Sequence, residues 1–363
     1  MRNFHWISNL GLAFVSVTAL SQIGCSQGFE AKPQASSGSN AAADVPETPM
    51  PAPIKPPADP KLNICSQLDF NGIAWPATLS DSTRKAMALS LNITGSFEGG
   101  GWSNLANNFD GQGISLGLNQ QNLGQGTLQP IFKVMIDKNL PLTQTLFTAA
   151  SLKSVSSMVS IWSKSVSAAE AIEAMFTEKP LFSENKALSP LDEGFEGTVS
   201  ALASRNSVSV AWAVENVYQS GGTAFKADWK QSLKAWAASA PFRSLQVQES
   251  NSMFAKASGY FNAFKFHDMR SLLLMYDFVV QNGGFTAAHQ ATFRTWDTAN
   301  PKASETARTL KLLEIRLVSV RAEYRGDVDS RKRTIITGTG KVHGASRNLQ
   351  TEYCYSSAEP IVF

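Results

Sequence analysis

Most of the chain repeats its apolar positions with the period of an α-helix. In residues 80–95, Ser80 is a typical capping residue, and Ala86, Leu89 and Ile93 then recur at helical spacing. The same amphipathic pattern predicts further helices after residue 126, at 168–176, 198–203, 211–218, 225–238, 244–264 and 310–320. The pattern therefore predicts a mainly α protein.

Residues 95–126 interrupt this pattern. Nine glycines fall among Asn and Gln within these 32 residues, a composition typical of turns and hairpins. Asp110 and Gly111 form a turn signal that is followed by alternating apolar and polar positions, so we predict a small β-hairpin over residues 109–117. Residues 331–343 are enriched in Thr, Ile and Gly, and we predict loop or short strand there.

The first 25 residues have the architecture of a signal peptide. Arg2 precedes an apolar stretch at residues 7–20, and Gly24-Cys25 closes a run that resembles the bacterial lipobox, in which the cysteine receives a lipid. The apolar stretch is too short for a comfortable membrane span. These features favour a lipoprotein anchored at Cys25, and a plain secreted protein with a cleaved signal remains the alternative.

Residues 26–61 are predicted to be a disordered tether. They hold eight of the 16 prolines, among Ala, Ser and Gly, and they show no apolar periodicity. Such a composition cannot bury a core, and it favours extended polyproline conformations. The folded domain is therefore predicted to cover residues 62–363.

Export changes what the cysteines can do. If Cys25 carries a lipid, Cys65 and Cys354 remain, close to the two ends of the folded domain. An oxidising compartment permits a disulfide, and the ends of a compact domain often lie close together. We therefore predict a Cys65–Cys354 disulfide, with two buried free thiols as the alternative.

Composition narrows the functional classes. The 363 residues are 43% hydrophobic and 17% charged, which excludes a wholly disordered chain. A net charge of +3 argues against a nucleic-acid binder that depends on phosphate contacts. Three cysteines and four widely spaced histidines exclude a zinc finger and a cysteine-rich scaffold, so we expect no metal site and no cofactor.

Two carboxylates border the glycine-rich interruption. Glu98 follows the first predicted helix and begins a glycine-rich segment with few side chains. A carboxyl group there can be partly desolvated, as suits a general acid. Asp110 lies at the predicted hairpin turn. Glycoside hydrolysis needs such a pair across a cleft, because one carboxyl protonates the leaving oxygen and the other activates water or attacks carbon. The simpler interpretations are a loop carboxylate and a turn former.

Asp277 is the single charge in the apolar run 272–280. A buried carboxylate costs several kcal/mol unless it is paired, so we predict a partner among Arg331, Lys332 and Arg333. We interpret Asp277 as half of an ion pair that braces the fold. The alternative is that Asp277 and Arg331 orient a catalytic cleft from behind it.

The order of these residues resembles the active-site half of the lysozyme-like superfamily, in particular its chitosanase-like branch and related bacterial cell-wall hydrolases. The similarity lies in Glu98-Gly-Gly, in Asn108-Phe-Asp-Gly-Gln-Gly and in Gly113-Ile-Ser-Leu-Gly-Leu-Asn-Gln120. It continues around Asp277 and in residues 327–344.

The resemblance implies that Glu98 is the general acid and Asp110 the general base of an inverting hydrolase. An exposed aromatic platform, hydroxyl groups and amides would bind the sugar chain, and the candidates are Trp102, Ser115, Gln120, Asn122 and Gln125. For Asn122 and Gln125, a role in the turn itself is the alternative.

These observations predict a mainly α, lysozyme-like domain with a small β-hairpin at the active site. We expect an exported, monomeric glycoside hydrolase that cleaves β-1,4 bonds of amino-sugar polymers. Export with a lipid anchor points to peptidoglycan, native or de-N-acetylated and rich in glucosamine, in the periplasm or at the outer membrane. Two alternatives remain: a lytic transglycosylase that uses Glu98 alone, and a non-catalytic peptidoglycan-binding lipoprotein.

Overall fold

The computed structural model describes the chain in four ranges, 58–59, 61–176, 195–220 and 222–361. For residue 58 and for 166–176 and 195–205 it describes the backbone only. The predicted signal peptide, Cys25 and the predicted tether up to residue 57 lie outside the described residues.

Helices make up most of the described chain, which confirms the mainly α prediction. Their bounds are α1 Asp81–Phe97, α2 Gln129–Lys138, α3 Leu140–Leu146, α4 Ala149–Phe176, α5 Phe195–Asn216, α6 Ala227–Ala238, α7 Ala240–Ala263, α8 Met269–Asn282, α9 Ala287–Ala299, α10 Glu305–Leu317, α11 Ala322–Thr337 and α12 Leu349–Tyr353. The strands are short and pair antiparallel: β1 Ala58–Asp59 with β2 Ile64–Cys65, β3 Leu105–Ala106 with β4 Ser115–Leu116, β4 with β5 Gln121–Asn122, and β6 Thr339–Val342 with β7 Ala345–Asn348.

Helix α1 is buried along most of its length. It starts where the Ser80 hydroxyl accepts a hydrogen bond from the backbone N–H of Thr83 at 3.3 Å, which satisfies a free donor of the first turn. Residues 86–93 are all buried. Near its end, Gly95 leaves room for Leu118, because a Cβ at this position would collide with the leucine side chain. The helix predicted over 80–95 is confirmed.

The apolar side chains form two clusters. The first lies between α1, α8, α10, α11 and the second half of α7. The second lies between the β3–β4–β5 sheet, α2, α4, α6 and the start of α7, where the Trp236 ring packs against Phe132, Phe147 and Phe242. The sheet contributes Leu116 to the second cluster and the following turn contributes Leu118 to the first, so this segment joins the two.

Two local predictions were right only in part, because a small antiparallel sheet includes β4 of residues 109–117 and the short strand β6 lies within residues 331–343. The expected hairpin over 109–117 is instead a sheet of three two-residue strands, and residues Asn108–Asp110 form a 3₁₀ turn between β3 and β4. Residues 331–337, expected as loop or strand, belong to helix α11, which ends at Gly338 in the left-handed conformation. The helix persists there because Ile335 and Ile336 are buried in the first cluster, and this packing overrides weak local propensity.

The predicted disulfide is confirmed. Cys65 at the end of β2 and Cys354 directly after α12 are bonded, with their Cα atoms 5.1 Å apart and 289 residues apart in the chain. It joins the start of the folded domain to its last helix.

Replacing Cys65 and Cys354 together by Ser should lower the free energy of unfolding by about 2–5 kcal/mol, because the bond restricts a long loop of the unfolded chain. Urea denaturation followed by circular dichroism measures this change. The reduced wild type should match the double variant, and an unfolding midpoint equal to that of the oxidised wild type would contradict the expectation.

Candidate active site

Glu98 lies at the C-terminal end of α1. Its backbone N–H donates to the carbonyl groups of Thr94 and Gly95, and its own carbonyl accepts a bond of 2.6 Å from the Asn104 side chain. The Glu98 side chain is 24% exposed, so its carboxylate is partly open to solvent. The helix end and the Asn104 bond together hold the backbone at this position.

The Glu98 carboxylate is bound by a buried arginine. Arg331 Nη1 donates to Glu98 Oε1 at 2.6 Å. The same guanidinium also donates through Nη2 to Asp277 Oδ1 at 2.6 Å and through Nε to both Asp277 oxygens at 2.9 and 3.0 Å. Arg331 therefore joins a solvent-accessible carboxylate to one in the core.

Asp277 is fully buried and surrounded by donors. Besides Arg331, the Thr94 hydroxyl donates to Oδ1 at 3.0 Å, and the Lys332 ammonium binds Oδ2. The predicted cationic partners are thus Arg331 and Lys332, whereas Arg333 points away and pairs with Asp329 at 2.8 Å on the same helix. Thr94 was not anticipated from the sequence.

The pKa values follow from this arrangement. Burial alone would raise the pKa of Asp277, but the charges of Arg331 and Lys332 outweigh it and hold that pKa at about 2. For Lys332, burial outweighs the attraction of Asp277 and lowers the pKa to about 8. The pKa of Arg331 lies above its usual range, because Asp277 and Glu98 outweigh the effect of burial.

The ion cluster continues to the surface. Lys332 also donates to Gln281 Oε1, Gln281 Nε2 donates to Asp327 Oδ2 at 3.0 Å, and Asp327 Oδ1 lies 2.7 Å from Nε2 of His343. His343 stands at the β6–β7 turn with φ of 50°.

Asp110 ends the 3₁₀ turn between β3 and β4. Its Oδ1 accepts a bond of 3.1 Å from the backbone N–H of Gln112, and Asn108 Oδ1 accepts one of 2.6 Å from Gly113. The Tyr218 hydroxyl donates to the Gly113 carbonyl, and burial raises the pKa of this tyrosine well above its usual range. Asp110 is half-buried, and one of its oxygens shapes the turn.

The polar candidates on the sheet differ in what they do. Ser115 is buried in β4. Gln120 is half-buried and donates through Nε2 to the Gly117 carbonyl at 2.8 Å. Asn122 is buried, and its Oδ1 accepts a bond of 2.8 Å from the backbone N–H of Gln125, so it acts in the turn rather than as an open ligand. The Gln125 side chain is exposed.

The expected exposure of Trp102 was wrong. Its side chain is only 7% exposed; its ring packs edge-on against Phe70, and its Nε1 donates to the Asp69 carbonyl at 3.1 Å. The flanking glycines suggested an open loop, but the segment before α1 covers the indole. The aromatic side chain that is exposed here is Phe109, at 56%, directly before Asp110.

Contacts from α7 and α8 fasten the sheet, and the sequence did not indicate them. Gln246 Oε1 accepts a bond of 2.8 Å from the backbone N–H of Leu118, and its Nε2 donates to the Trp102 carbonyl at 3.1 Å. Asn119 Nδ2 donates to Ser250 Oγ at 2.7 Å and to the Tyr276 hydroxyl at 3.1 Å. Isolated polar residues on helices carry no local pattern that would predict such bonds.

Comparison with known proteins adds no relative. A scan against models of protein families finds no match for the chain, and no curated protein matches it. In the described part of the chain, no three His, Cys, Asp or Glu side chains meet in a way that could hold a metal ion. Within the same ranges, no helix is long and apolar enough to cross a membrane.

Asp277→Asn should destabilise the fold by about 3–5 kcal/mol, because it leaves Arg331 and Lys332 as uncompensated buried charges. Chemical denaturation measures the loss. The matched control is Asp329→Asn, which removes an exposed pair with Arg333 and should cost less than about 1 kcal/mol. Equal losses of unfolding free energy in the two variants would show that the buried ion cluster contributes no more to stability than the exposed pair.

Stability should also depend on pH through Asp277. Its pKa is about 2 in the folded protein and 3.8 ordinarily, so its contribution is complete above pH 4 and is lost as the pH falls toward 2. The difference in unfolding free energy between wild type and Asp277→Asn should therefore shrink by about 2 kcal/mol between pH 5 and pH 2. Denaturation curves at several pH values test this, and a constant difference would refute it.

Proposed function

We propose that this protein is a glycoside hydrolase that cleaves β-1,4 bonds of amino-sugar polymers, with peptidoglycan as its substrate class. Glu98 would act as general acid and Asp110 as general base. The observation that carries the proposal is the state of Glu98, a partly open carboxylate at a helix end that a buried guanidinium holds in place. The motif resemblance around both carboxylates points the same way.

The surroundings of Glu98 hold its carboxyl group in one position. Arg331 binds only Oε1 of Glu98, at 2.6 Å, and Asp277 fixes the guanidinium from the other side. A catalytic carboxyl group must be held within a few tenths of an ångström of its working position, and a buried ion cluster provides such support. In the proposed reaction, Glu98 delivers its proton to the glycosidic oxygen while the bond to the anomeric carbon breaks.

Asp110 is proposed as the base that removes a proton from the attacking water. Only one of its oxygens is bonded to the turn, at Gln112, and the side chain is half-buried. The Asn104 side chain bonds the Glu98 carbonyl, and Asn104 directly precedes β3, which pairs with β4 on the other side of the turn that holds Asp110. Inversion requires a carboxyl separation of about 6.5–9.5 Å, which leaves room for the water.

The substrate class follows from the predicted route of export. A lipid at Cys25 and a tether over residues 26–61 would keep the folded domain near a membrane of the cell envelope, where peptidoglycan is the available amino-sugar polymer. Cys25 and the tether up to residue 57 lie outside the described residues, and both features belong to the proposal. The fold that we propose for the domain, lysozyme-like with its sheet beside the first helix, belongs to it as well.

Glu98→Gln and Asp110→Asn should each lower the rate of glycan cleavage at least about 100-fold, because general acid or base catalysis contributes about 10²–10⁴-fold. Release of reducing ends from native and from de-N-acetylated peptidoglycan measures the rate. The matched control is Glu314→Gln, which alters an exposed carboxylate paired with Lys311 and should keep full activity. Proton NMR of the first products should show the α-anomer.

The same assay separates the alternatives. Products with 1,6-anhydro ends and an active Asp110→Asn variant would identify a transglycosylase that uses Glu98 alone. Binding of peptidoglycan by the wild type without any cleavage would leave a non-catalytic binding protein. Either outcome overturns the proposed hydrolase.

A further inference from the structure

The last turn of α1 needs support from outside the segment that follows it. Glu98 is followed by three glycines, Gly99, Gly100 and Gly101, with φ of 98°, 63° and 153°. Glycine has the most backbone freedom to lose and no side chain to pack, so this segment alone restrains Glu98 weakly. Besides the Asn104 bond to the Glu98 carbonyl, restraint of this helix end comes from contacts to the side chains of Ser96 and Phe97.

Arg347 on β7 makes these contacts. Its Nη2 donates to Ser96 Oγ at 3.1 Å, and its guanidinium carbon lies 5.2 Å from the centre of the Phe97 ring. The guanidinium carbon of Arg331 lies 5.0 Å from the centre of the same ring. Phe97 therefore contacts two guanidinium groups, of which Arg331 binds the Glu98 carboxylate and Arg347 holds the helical turn.

Arg347 is itself fixed from behind. Its Nε and Nη2 bind Glu352 Oε2 at 2.8 and 2.7 Å, and Nη2 also donates to the Tyr353 hydroxyl at 3.2 Å. Burial alone would lower the pKa of Arg347. The hydrogen bond to Glu352 and the charges of Tyr353 and Glu352 outweigh burial and raise that pKa. The guanidinium is therefore permanently charged and held in one orientation.

The support continues to the disulfide. Glu352 and Tyr353 lie in the short helix α12, and Cys354 directly after it is bonded to Cys65. The other oxygen of Glu352 accepts a bond of 2.7 Å from the backbone N–H of Asn348, which ties α12 to β7. A continuous line of contacts thus leads from the disulfide through α12 and Arg347 to the last turn of α1.

We propose that Arg347 is a positioning residue for Glu98, which holds the end of α1 so that the carboxyl group stays beside Arg331. It does not act on the substrate. The proposal rests on the proposed function where it concerns the reaction rate, whereas the restraint on the helix end can be measured without any activity.

The test compares Arg347→Met with Arg308→Met. Arg308 is a matched control: its side chain is 15% exposed against 13% for Arg347, it pairs with Asp297 at 2.7 Å, and it lies 4.8 Å over the Phe266 ring. Amide hydrogen exchange in residues 95–104 should rise about tenfold in Arg347→Met and less than about twofold in the control. Arg347→Lys, which keeps the charge but not the planar guanidinium group, should give an intermediate rise in amide hydrogen exchange.

The kinetic arm uses peptidoglycan and both variants. Arg347→Met should lower kcat about tenfold with KM within about twofold, because Arg347 supports the reacting group and not the bound glycan. Exchange in 95–104 no higher than in the Arg308 variant would overturn the proposal, and so would raised exchange with an unchanged kcat. If the wild type cleaves no glycan, the proposed function fails, and the exchange results alone decide whether Arg347 holds the helix end.

Discussion

The buried charge of Asp277 is the constraint on which the arrangement of the first core cluster depends. A carboxylate without solvent contact is stable only when other charges and donors compensate it. Thr94 from α1 and the neighbouring Arg331 and Lys332 from α11 do so, and Asp277 itself belongs to α8. Three helices must therefore meet at one point, in a way that apolar contacts alone would not require.

The candidate site is an outward extension of this cluster. Arg331 uses Nε and Nη2 for Asp277 and keeps Nη1 for Glu98, so the same side chain stabilises the core and holds the exposed carboxylate. The backbone of Glu98 is held separately, through Asn104 on one side and through the Ser96 contact of Arg347 on the other. The backbone and the carboxylate of Glu98 are thus held by different parts of the molecule.

Some features could be predicted because they depend on residues that are close in sequence or on simple charge balance. The period of α1, its cap at Ser80 and the need of Asp277 for a cation are of this kind, and so is the pairing of the two cysteines near the ends of the predicted domain. The exposure predicted for Trp102 was wrong, because a distant segment covers its ring, and Asn122 takes the role in the turn that was its alternative. Which polar and aromatic side chains are open to a ligand therefore could not be read from the motif alone.

By itself, the sequence determined the helical periods, the glycine-rich break beside Glu98 and the requirement that an isolated carboxylate in an apolar run be neutralised. These follow from local spacing and from the cost of burying a charge. Only the tertiary structure decided that Arg331, 233 residues away, binds Glu98, and that Arg347, 251 residues from Ser96, holds the same helix end. Such contacts depend on how whole helices pack, and no pattern within a few residues encodes that.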